Sequence, residues 1–421
     1  MKRRVATLCG AVSWVRFTPS KGCAAIVARI GRWSIILQKA AYKDLKVLTS
    51  LRFFAALMIV ALHVSQSAPA RWNGWFPASS IHGVSFFFVL SGFILTHVYE
   101  GDGELNIARF MTLRVARIYP TVVASMALTF MVLPWEDIVR PGTGAEIGVA
   151  ALALKALMLD ALVPVTNVYF AGNSPSWSIS TEMTFYILFP VLLKRFRSDW
   201  LQKLLLAAVC AAAVYSIGYV LALSPDVAAD NRVTLVSLGY ANPLVRGFEF
   251  VLGMSTYLLW SRSIEPLQLS RRNWTQIECA ALFIVAIWLA FDVETVFSAL
   301  PSPISLWFGT SGSCFAFAAL ISIFASGRGW VGEFLARRPF VWLGEVSFAI
   351  YMYHQIVLRA LKPVLLPDFG AGLFVLAALS ATLAIAAANH RWVEPHGRKL
   401  ILSLRSRLSA GKVAISLADA R

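Results

Sequence analysis

Leu48–Val64 reads LTSLRFFAALMIVALHV and is the stretch that decides the fold. It is apolar enough to form a membrane-spanning helix, and its ionisable side chains are Arg52 near the start and His63 near the end. The two are eleven positions apart, which is three helical turns plus about 20°, so they share a face about 16 Å apart along the axis. Ionisable groups inside a span are costly and are functional candidates. The alternative is a snorkelling anchor at Arg52 and a polar interface residue at His63.

The composition is that of a polytopic membrane protein. Of the 421 residues, 58% are hydrophobic and 14% are charged, an apolar fraction above that of a soluble domain. The net charge of +16 is concentrated at the ends, since residues 1–46 hold ten Lys/Arg and one Asp, and residues 391–421 hold seven Lys/Arg and two acidic residues. Basic ends beside apolar spans follow the positive-inside rule and predict that both termini are cytoplasmic. This distribution argues against nucleic-acid binding.

The alternation of basic and acidic loops predicts an all-α integral membrane protein with about ten transmembrane helices. Segment 147–163 is also apolar, but if it crossed the membrane, the basic run at 194–197 would lie outside. We therefore predict an interfacial or re-entrant segment there. The ten predicted spans cover residues 47–64, 81–99, 118–134, 178–193, 203–223, 243–260, 277–295, 304–326, 341–361 and 371–390.

Two arginines open the third predicted span on its cytoplasmic side. Arg114 and Arg117 are three positions apart, so on a helix they occupy neighbouring positions of one face. Guanidinium groups bind phosphate in a bidentate manner, which makes this pair a candidate anion site. The alternative is ordinary charge that sets the topology.

A carboxylate lies at the start of the fourth predicted span. The run WSISTE at 177–182 ends in Glu182, and Tyr186 follows one turn later. An intramembrane carboxylate needs a partner. A structural ion pair with Arg246 or a contact with His63 is therefore the alternative to a catalytic role.

Two more polar sets interrupt apolar spans. Arg246 and Glu249 are three apart in the sixth span and can pair with each other. Ser347, Tyr351 and His354 recur at i, i+4 and i+7 in the ninth span and so form one polar stripe. For His354 alone we favour a satisfied core histidine over a ligand.

Together these motifs resemble the integral-membrane acyltransferase 3 family, which moves acyl groups onto cell-envelope sugars. The resemblance covers about residues 45–395 and rests on five patches in the family's order. They are Leu51-Arg52 with Ala55, Ala56 and His63; Gly83-Val84 with the run 86–93; Arg114-x-x-Arg117 with Ile118 and Pro120; Trp177-Ser178-Ile179 with Glu182, Phe185 and Tyr186; and Leu343-Gly344 with Ser347, Tyr351, His354, Arg391, Val393 and Glu394. We therefore expect a basic cytoplasmic tail at 1–46, a membrane acyltransferase domain at 47–395 and a basic cytoplasmic tail at 396–421.

The resemblance implies transfer of an acyl group, most often acetyl from acetyl-CoA, to a hydroxyl of an envelope glycan such as an exopolysaccharide or lipopolysaccharide, or of a lipid-linked precursor. The location implied is the bacterial cytoplasmic (inner) membrane, where proteins of polysaccharide assembly are further partners. Acyl-CoA is expected as a donor substrate, with no permanently bound cofactor and no metal. Some family members carry a C-terminal hydrolase-like domain, which we do not expect in this chain.

Residue roles follow from the same resemblance. A hydroxyl that attacks a thioester must lose its proton, and imidazole titrates near neutral pH. His63 is therefore expected to be the general base, or an acylated relay, with Glu182 orienting it. The expected ligands of the phosphates or of the thioester oxygen are Arg52, Arg114 and Arg117, and substrate-binding roles are expected for Trp177, Tyr186, Arg246, Tyr351 and His354.

Two other classes of function stay open from the sequence. A transporter or flippase for an anionic solute would use the arginines as substrate ligands, and inverted repeats with paired broken helices would favour it. We find no internal repeat. A structural partner in a polysaccharide-assembly complex would perform no chemistry, and release of free coenzyme A would separate the enzyme from both.

Overall fold

The computed structural model describes residues 45–67, 81–101, 105–139, 143–226, 231–290 and 299–418. Within these ranges the chain is helical and has no strand, which confirms the predicted all-α class. The basic segment before residue 45 and most of the predicted loop 65–80 lie outside the described residues.

The helices are labelled in chain order. They are α1 Lys46–Ser67, α2 Gly83–Tyr99, α3 Ile107–Val132, α4 Trp135–Ile138, α5 Ala145–Ala156, α6 Thr166–Tyr169, α7 Trp177–Leu193, α8 Phe196–Val220, α9 Leu235–Tyr240, α10 Pro243–Leu259, α11 Arg271–Ala290, α12 Ser302–Ser311, α13 Cys314–Phe324, α14 Trp330–Leu335, α15 Arg338–Ala388 and α16 Glu394–Ala418. Local sequence explains several starts: the Asn106 side chain accepts from the Arg109 amide at α3, and Asn242 does the same for Leu244 at α10.

Among the described residues, six helical stretches are long and apolar enough to cross a membrane. This confirms a multi-pass membrane protein. α2 is a shorter apolar helix of 17 residues, at the lower limit of about 17–25 residues for a span. The predicted count of about ten, and the side on which each terminus lies, stay predictions. The six stretches are Lys46–Ser67, Ile107–Val132, Phe196–Val220, Arg271–Ala290, Ser302–Phe324 and Arg338–Arg407.

Helix α15 folds back on itself at Gly370. This glycine has φ +77° and ψ 173°, a conformation that other residues rarely adopt. The Tyr353 hydroxyl donates to Asn389 Oδ1 over 3.0 Å, although 36 residues of straight helix would separate them by about 54 Å. The predicted spans 341–361 and 371–390 are therefore the two antiparallel halves of α15.

Helix α1 packs against the first half of α15. Gly344 lies against the backbone at Thr49, where a Cβ atom would clash with the Thr49 carbonyl. His63 lies fourteen residues after Thr49 in α1, and His354 lies ten residues after Gly344 in α15. These two histidines are again in contact. The two helices therefore run in the same direction, as two odd-numbered spans must, and this close packing brings the two histidines together.

The segment 145–176 contains helix α5 and several short turns. Helix α5 has 12 residues and is about 18 Å long, too short for a hydrocarbon core of about 30 Å. Lys155 Nζ pairs with Asp160 at 2.7 Å, and both side chains are buried. The same ammonium donates to the Tyr169 carbonyl over 2.9 Å and to Ser176 Oγ over 3.1 Å. These contacts tie the segment to the start of α7, in agreement with the prediction that 147–163 does not cross.

Candidate active site

Arg52 and His63 both belong to helix α1, and each contributes to a different site. The histidine site comprises His63, His354 and the cavity that His63 lines. The arginine site comprises Arg52, Arg114 and Arg117 with Glu182 and Tyr186. Because the helix rises about 1.5 Å per residue, the two sites lie about 16 Å apart along α1.

His63 pairs with His354 of helix α15. His63 Nδ1 lies 3.0 Å from His354 Nε2 and 3.0 Å from the Ile59 carbonyl oxygen. His354 is completely buried, and its Nδ1 lies 2.7 Å from the Tyr351 carbonyl oxygen. His354 is thus a satisfied core histidine, as favoured from the sequence, but its partner is the candidate base. The sequence pattern did not predict this pairing.

A cavity of about 360 Å³ opens beside His63. Trp177 and Tyr351, both predicted to bind substrate, contribute to its wall, and none of its described lining residues is Asp, Glu, Lys or Arg. Such a cavity, mainly apolar with a few convergent polar groups, is typical of a small-molecule site. The lining residues are Ile59, Leu62, His63, Gln66, Ile81, Val84, Tyr169, Phe170, Ser174, Pro175, Trp177, Val236, Tyr240, Tyr351 and Gln355.

Aromatic rings form one side of this cavity. The ring centroids of Trp177 and Tyr240 are 4.8 Å apart, and those of Phe170 and Tyr240 are 5.7 Å apart. The Tyr351 hydroxyl donates to the Pro175 carbonyl over 2.9 Å. The amide oxygen of Gln355 is buried without a hydrogen-bond partner. The wall therefore combines flat apolar faces with an unsatisfied polar atom.

The arginine site gathers three guanidinium groups from α1 and α3. Arg52 and Arg114 are half-buried and Arg117 is exposed. Arg52 lies within electrostatic range of Arg117, so these like charges repel each other. Within the described part of the chain, no guanidinium of the three forms a hydrogen bond or an ion pair. Unpaired cations beside an exposed arginine form a ready site for an anion.

Arg114 lies among aromatic rings. Its Cζ atom is 5.9 Å from the ring centroid of Tyr99, 5.7 Å from that of Phe110 and 6.0 Å from that of Tyr186. Its Nε is buried without a hydrogen-bond partner. Ring contacts hold the cation in place but leave its donors unused.

Glu182 belongs to the arginine site. It accepts a hydrogen bond from the Tyr186 hydroxyl over 2.5 Å and one from Ser91 Oγ over 2.9 Å, and it lies within electrostatic range of Arg52. We expected Glu182 to orient His63, and this assignment changes, because the ring partner of His63 is His354. Tyr186, expected to bind substrate, is held by Glu182 at the arginine site.

A polar network from the end of α15 also reaches Arg52. Asn389 donates to Thr121 Oγ1 and to Glu394 Oε1, each over 3.0 Å. Glu394 lies within electrostatic range of Arg52. In the sequence, Glu394 was recognisable only as part of a family patch, and no pattern indicated Asn389. A π-helical turn, a feature frequent at functional sites, spans Asn389–Val393 and is followed directly by Glu394.

Arg246 lies outside both sites. It is buried and pairs with Glu249 at 3.0 Å, and its Nη1 donates to Ser311 Oγ over 2.8 Å. This is the pairing that the i, i+3 spacing allowed. Arg246 does not line the cavity, but its Cζ is 6.0 Å from the ring centroid of Trp177. It therefore supports the cavity wall from behind and does not line it.

Comparison with known proteins gives a family. A family profile described as "Acyltransferase domain" matches residues 46–389. The chain is 27% identical to Acyltransferase MdmB of Streptomyces mycarofaciens over 371 residues, which are 82% of this chain and 90% of that protein. It is 24% identical to Putative peptidoglycan O-acetyltransferase YrhL of Bacillus subtilis, covering 82% of this chain and 54% of the relative. It is also 24% identical to Peptidoglycan O-acetyltransferase OatA of Listeria monocytogenes, covering 83% of this chain and 55% of the relative.

The lengths of these relatives differ. This chain spans nearly all of MdmB but about half of YrhL and OatA. No solved structure matches it significantly.

Proposed function

The chain belongs to the acyltransferase family whose domain its residues 46–389 match, and on this basis we propose that it transfers an acetyl group from acetyl-CoA to a hydroxyl of a cell-envelope glycan. The chain is thus an enzyme of the acyltransferase class, and the names of YrhL and OatA describe O-acetyl transfer to peptidoglycan. These names support a hydroxyl acceptor and a carbohydrate substrate. The proposed location is the bacterial cytoplasmic membrane.

The observation that carries the proposal is the separation of two unlike sites along one helix. Coenzyme A carries its phosphates and its thioester at opposite ends of the long pantetheine arm. The arginine site offers unpaired cations at one end of α1, and His63 faces a cavity at the other end. A donor bound along α1 would place its phosphates among the arginines and its thioester near the imidazole.

This arrangement favours one of the two roles considered for the arginines. The reacting thioester must lie close to the base that activates the acceptor. Arg52 begins about 16 Å away along the helix, and it lies within electrostatic range of Arg117 and Glu182. The arginines are therefore proposed to bind the phosphates of the donor rather than the thioester oxygen.

The proposed chemistry balances with His63 as the base. The ring of His63 takes the proton of the acceptor hydroxyl as that oxygen attacks the thioester carbonyl carbon. The carbon–sulfur bond then breaks, and His63 returns the proton to the departing thiolate. The products are the O-acetyl ester, coenzyme A with a free thiol and a neutral histidine ready for the next turnover.

The acceptor is proposed to occupy the cavity beside His63. Its aromatic side suits the apolar face of a sugar ring, and the buried amide oxygen of Gln355 offers a partner for a sugar hydroxyl. The described lining carries no carboxylate or cationic side chain. A neutral sugar ring therefore fits its chemistry.

The proposal is tested with purified protein in lipid nanodiscs. Acetyl-CoA and a candidate glycan are supplied, and free thiol and alkali-labile acetyl ester are measured together. We expect equimolar thiol and ester in the presence of both substrates. A protein that only transported an anionic solute would release no thiol above the His63→Asn control, and this result would contradict the proposal.

A further inference from the structure

We propose that His354 is a positioning residue that fixes the ring of His63, so that Nε2 of His63 is the nitrogen that takes the acceptor's proton. This rests on the proposed function, in which His63 is the base. It adds a residue that has no contact with the substrate cavity and a definite assignment of the reacting atom.

The hydrogen-bond partners of His354 determine its protonation. Its Nδ1 lies 2.7 Å from the Tyr351 carbonyl oxygen and 3.3 Å from that of Ile350. A carbonyl oxygen only accepts, so Nδ1 carries the hydrogen. His354 is fully buried and forms no ion pair with a described carboxylate, so the ring is neutral. Its Nε2 therefore offers a lone pair.

His63 completes the assignment. Its Nδ1 has two hydrogen-bond partners: His354 Nε2, at 3.0 Å, and the Ile59 carbonyl oxygen, at 3.0 Å. Both partners are acceptors, and each alone requires that Nδ1 of His63 carries the hydrogen. The lone pair of neutral His63 is then on Nε2. Among the described residues this nitrogen has no protein partner, and His63 lines the cavity.

The same contact serves the charged form of His63. When Nε2 takes a proton, the Nδ1–H bond to His354 becomes charge-assisted and stronger. A neutral acceptor in an uncharged surrounding stabilises the imidazolium without adding a fixed negative charge to the membrane interior. His354 thereby performs the orienting task that a carboxylate performs in a Ser-His-Asp triad.

Two variants of similar polarity separate this role from simple packing. In His354→Gln the side-chain oxygen reaches about the position of Nε2 and accepts from His63. In His354→Asn the amide reaches only the position of Nδ1, so it keeps a bond to the Tyr351 carbonyl and leaves His63 without its partner. We expect the Asn variant to lower kcat about 10- to 100-fold, with the Gln variant several-fold more active than Asn.

The measurements are kcat, KM for acetyl-CoA and membrane abundance for each variant. KM for acetyl-CoA should stay near that of the unmodified protein, since the arginine site is untouched. The double variant His63→Asn/His354→Asn should be no slower than His63→Asn alone, because His354 acts only through His63.

Specific outcomes overturn the inference. Equal losses in the Gln and Asn variants would assign His354 a packing role, and unchanged kcat in His354→Asn would remove it from the reaction. In either case an inactive His63→Asn variant leaves the proposed function standing. An active His63→Asn variant would instead overturn the assignment of the base, and the role of His354 with it.

Discussion

The two ends of helix α1 differ in how far their polar side chains are satisfied by other protein groups. At the His63 end every ring nitrogen except one is satisfied, through His354, the Ile59 carbonyl and the Tyr351 carbonyl. At the Arg52 end, Arg52 lies within electrostatic range of Arg117, and Arg52, Arg114 and Arg117 form no ion pair among the described residues. Within the described part of the chain, the first end leaves one nitrogen, Nε2 of His63, without a protein partner, whereas the second leaves several N–H donors available to a ligand.

This difference indicates that the His63 end positions a base and that the Arg52 end binds a ligand. A base needs a fixed ring and one free lone pair, and the paired histidines supply both. A phosphate site needs donors that are not already used. Arg52 and Arg117 repel each other, and among the described residues the three guanidinium groups form no hydrogen bond or ion pair. This end of α1 is therefore expected to gain most from a bound anion.

The largest effect is expected at the histidine end. His63→Asn keeps polarity and approximate size but cannot take a proton at neutral pH. Turnover should fall about 10²–10⁴-fold, the typical contribution of a positioned general base. The measurement is acetyl ester formed per molecule of protein at equal membrane abundance. A variant with near-normal turnover would break the comparison at this end.

A buried arginine outside both ends provides the next test. Arg246→Met leaves Glu249 buried without its partner, which costs on the order of 3–5 kcal/mol. Thermal unfolding in detergent should occur at a lower temperature, and acetyl-CoA affinity of the folded protein should be unchanged. The matched control Arg246→Met/Glu249→Leu removes both charges and should recover part of the loss. If Arg246→Met weakened donor binding as strongly as changes at α3, loss of any buried arginine would explain both effects.

The arginine end is expected to show an effect on binding alone. Arg114→Ala or Arg117→Ala removes a charge-assisted contact worth about 1.5–3 kcal/mol, roughly ten- to hundredfold in donor affinity. Arg109→Ala is the matched control, because it removes an exposed cation from the same helix without touching the site. Equal affinity in all three variants would return Arg114 and Arg117 to a role in topology.

The smallest effect is expected at the turn within α15. Gly370 has φ +77° and no atom within 4 Å of a Cβ position, so Gly370→Ala adds backbone strain of about 1–3 kcal/mol without a clash. Stability should fall modestly while kcat and donor affinity stay the same. A selective loss at one end of α1 would show that the turn is coupled to that site.

Much of the fold was predictable because membrane insertion leaves a clear record in sequence. The apolar run from Leu48 gave the right helix, and the i, i+3 spacing of Arg246 and Glu249 gave the right pair. Segment 147–163 was predicted not to cross because of the charges that follow it, and its helix α5 has 12 residues, fewer than a span requires. The number of spans is less evident. Helix α2 has 17 residues, which is the lower limit of length for a transmembrane helix.

The contacts within the sites were less predictable. His63 and His354 are 291 residues apart, and their meeting depends on the close approach of α1 and α15 at Gly344, a tertiary feature without a local signal. Glu182 was assigned to His63 because both are ionisable and intramembrane, yet the hydroxyls of Ser91 and Tyr186 bind it instead. Periodicity shows which face a residue occupies, but not which helix packs there.

The central claim is that one end of α1 binds the donor and the other activates the acceptor. The most direct measurement is equilibrium binding of acetyl-CoA to purified His63→Asn and Arg117→Ala proteins. The account predicts that His63→Asn, although inactive, binds acetyl-CoA as tightly as the unmodified protein, whereas Arg117→Ala binds it about ten- to hundredfold more weakly. Loss of donor affinity in His63→Asn equal to that in Arg117→Ala would contradict the separation of the two sites.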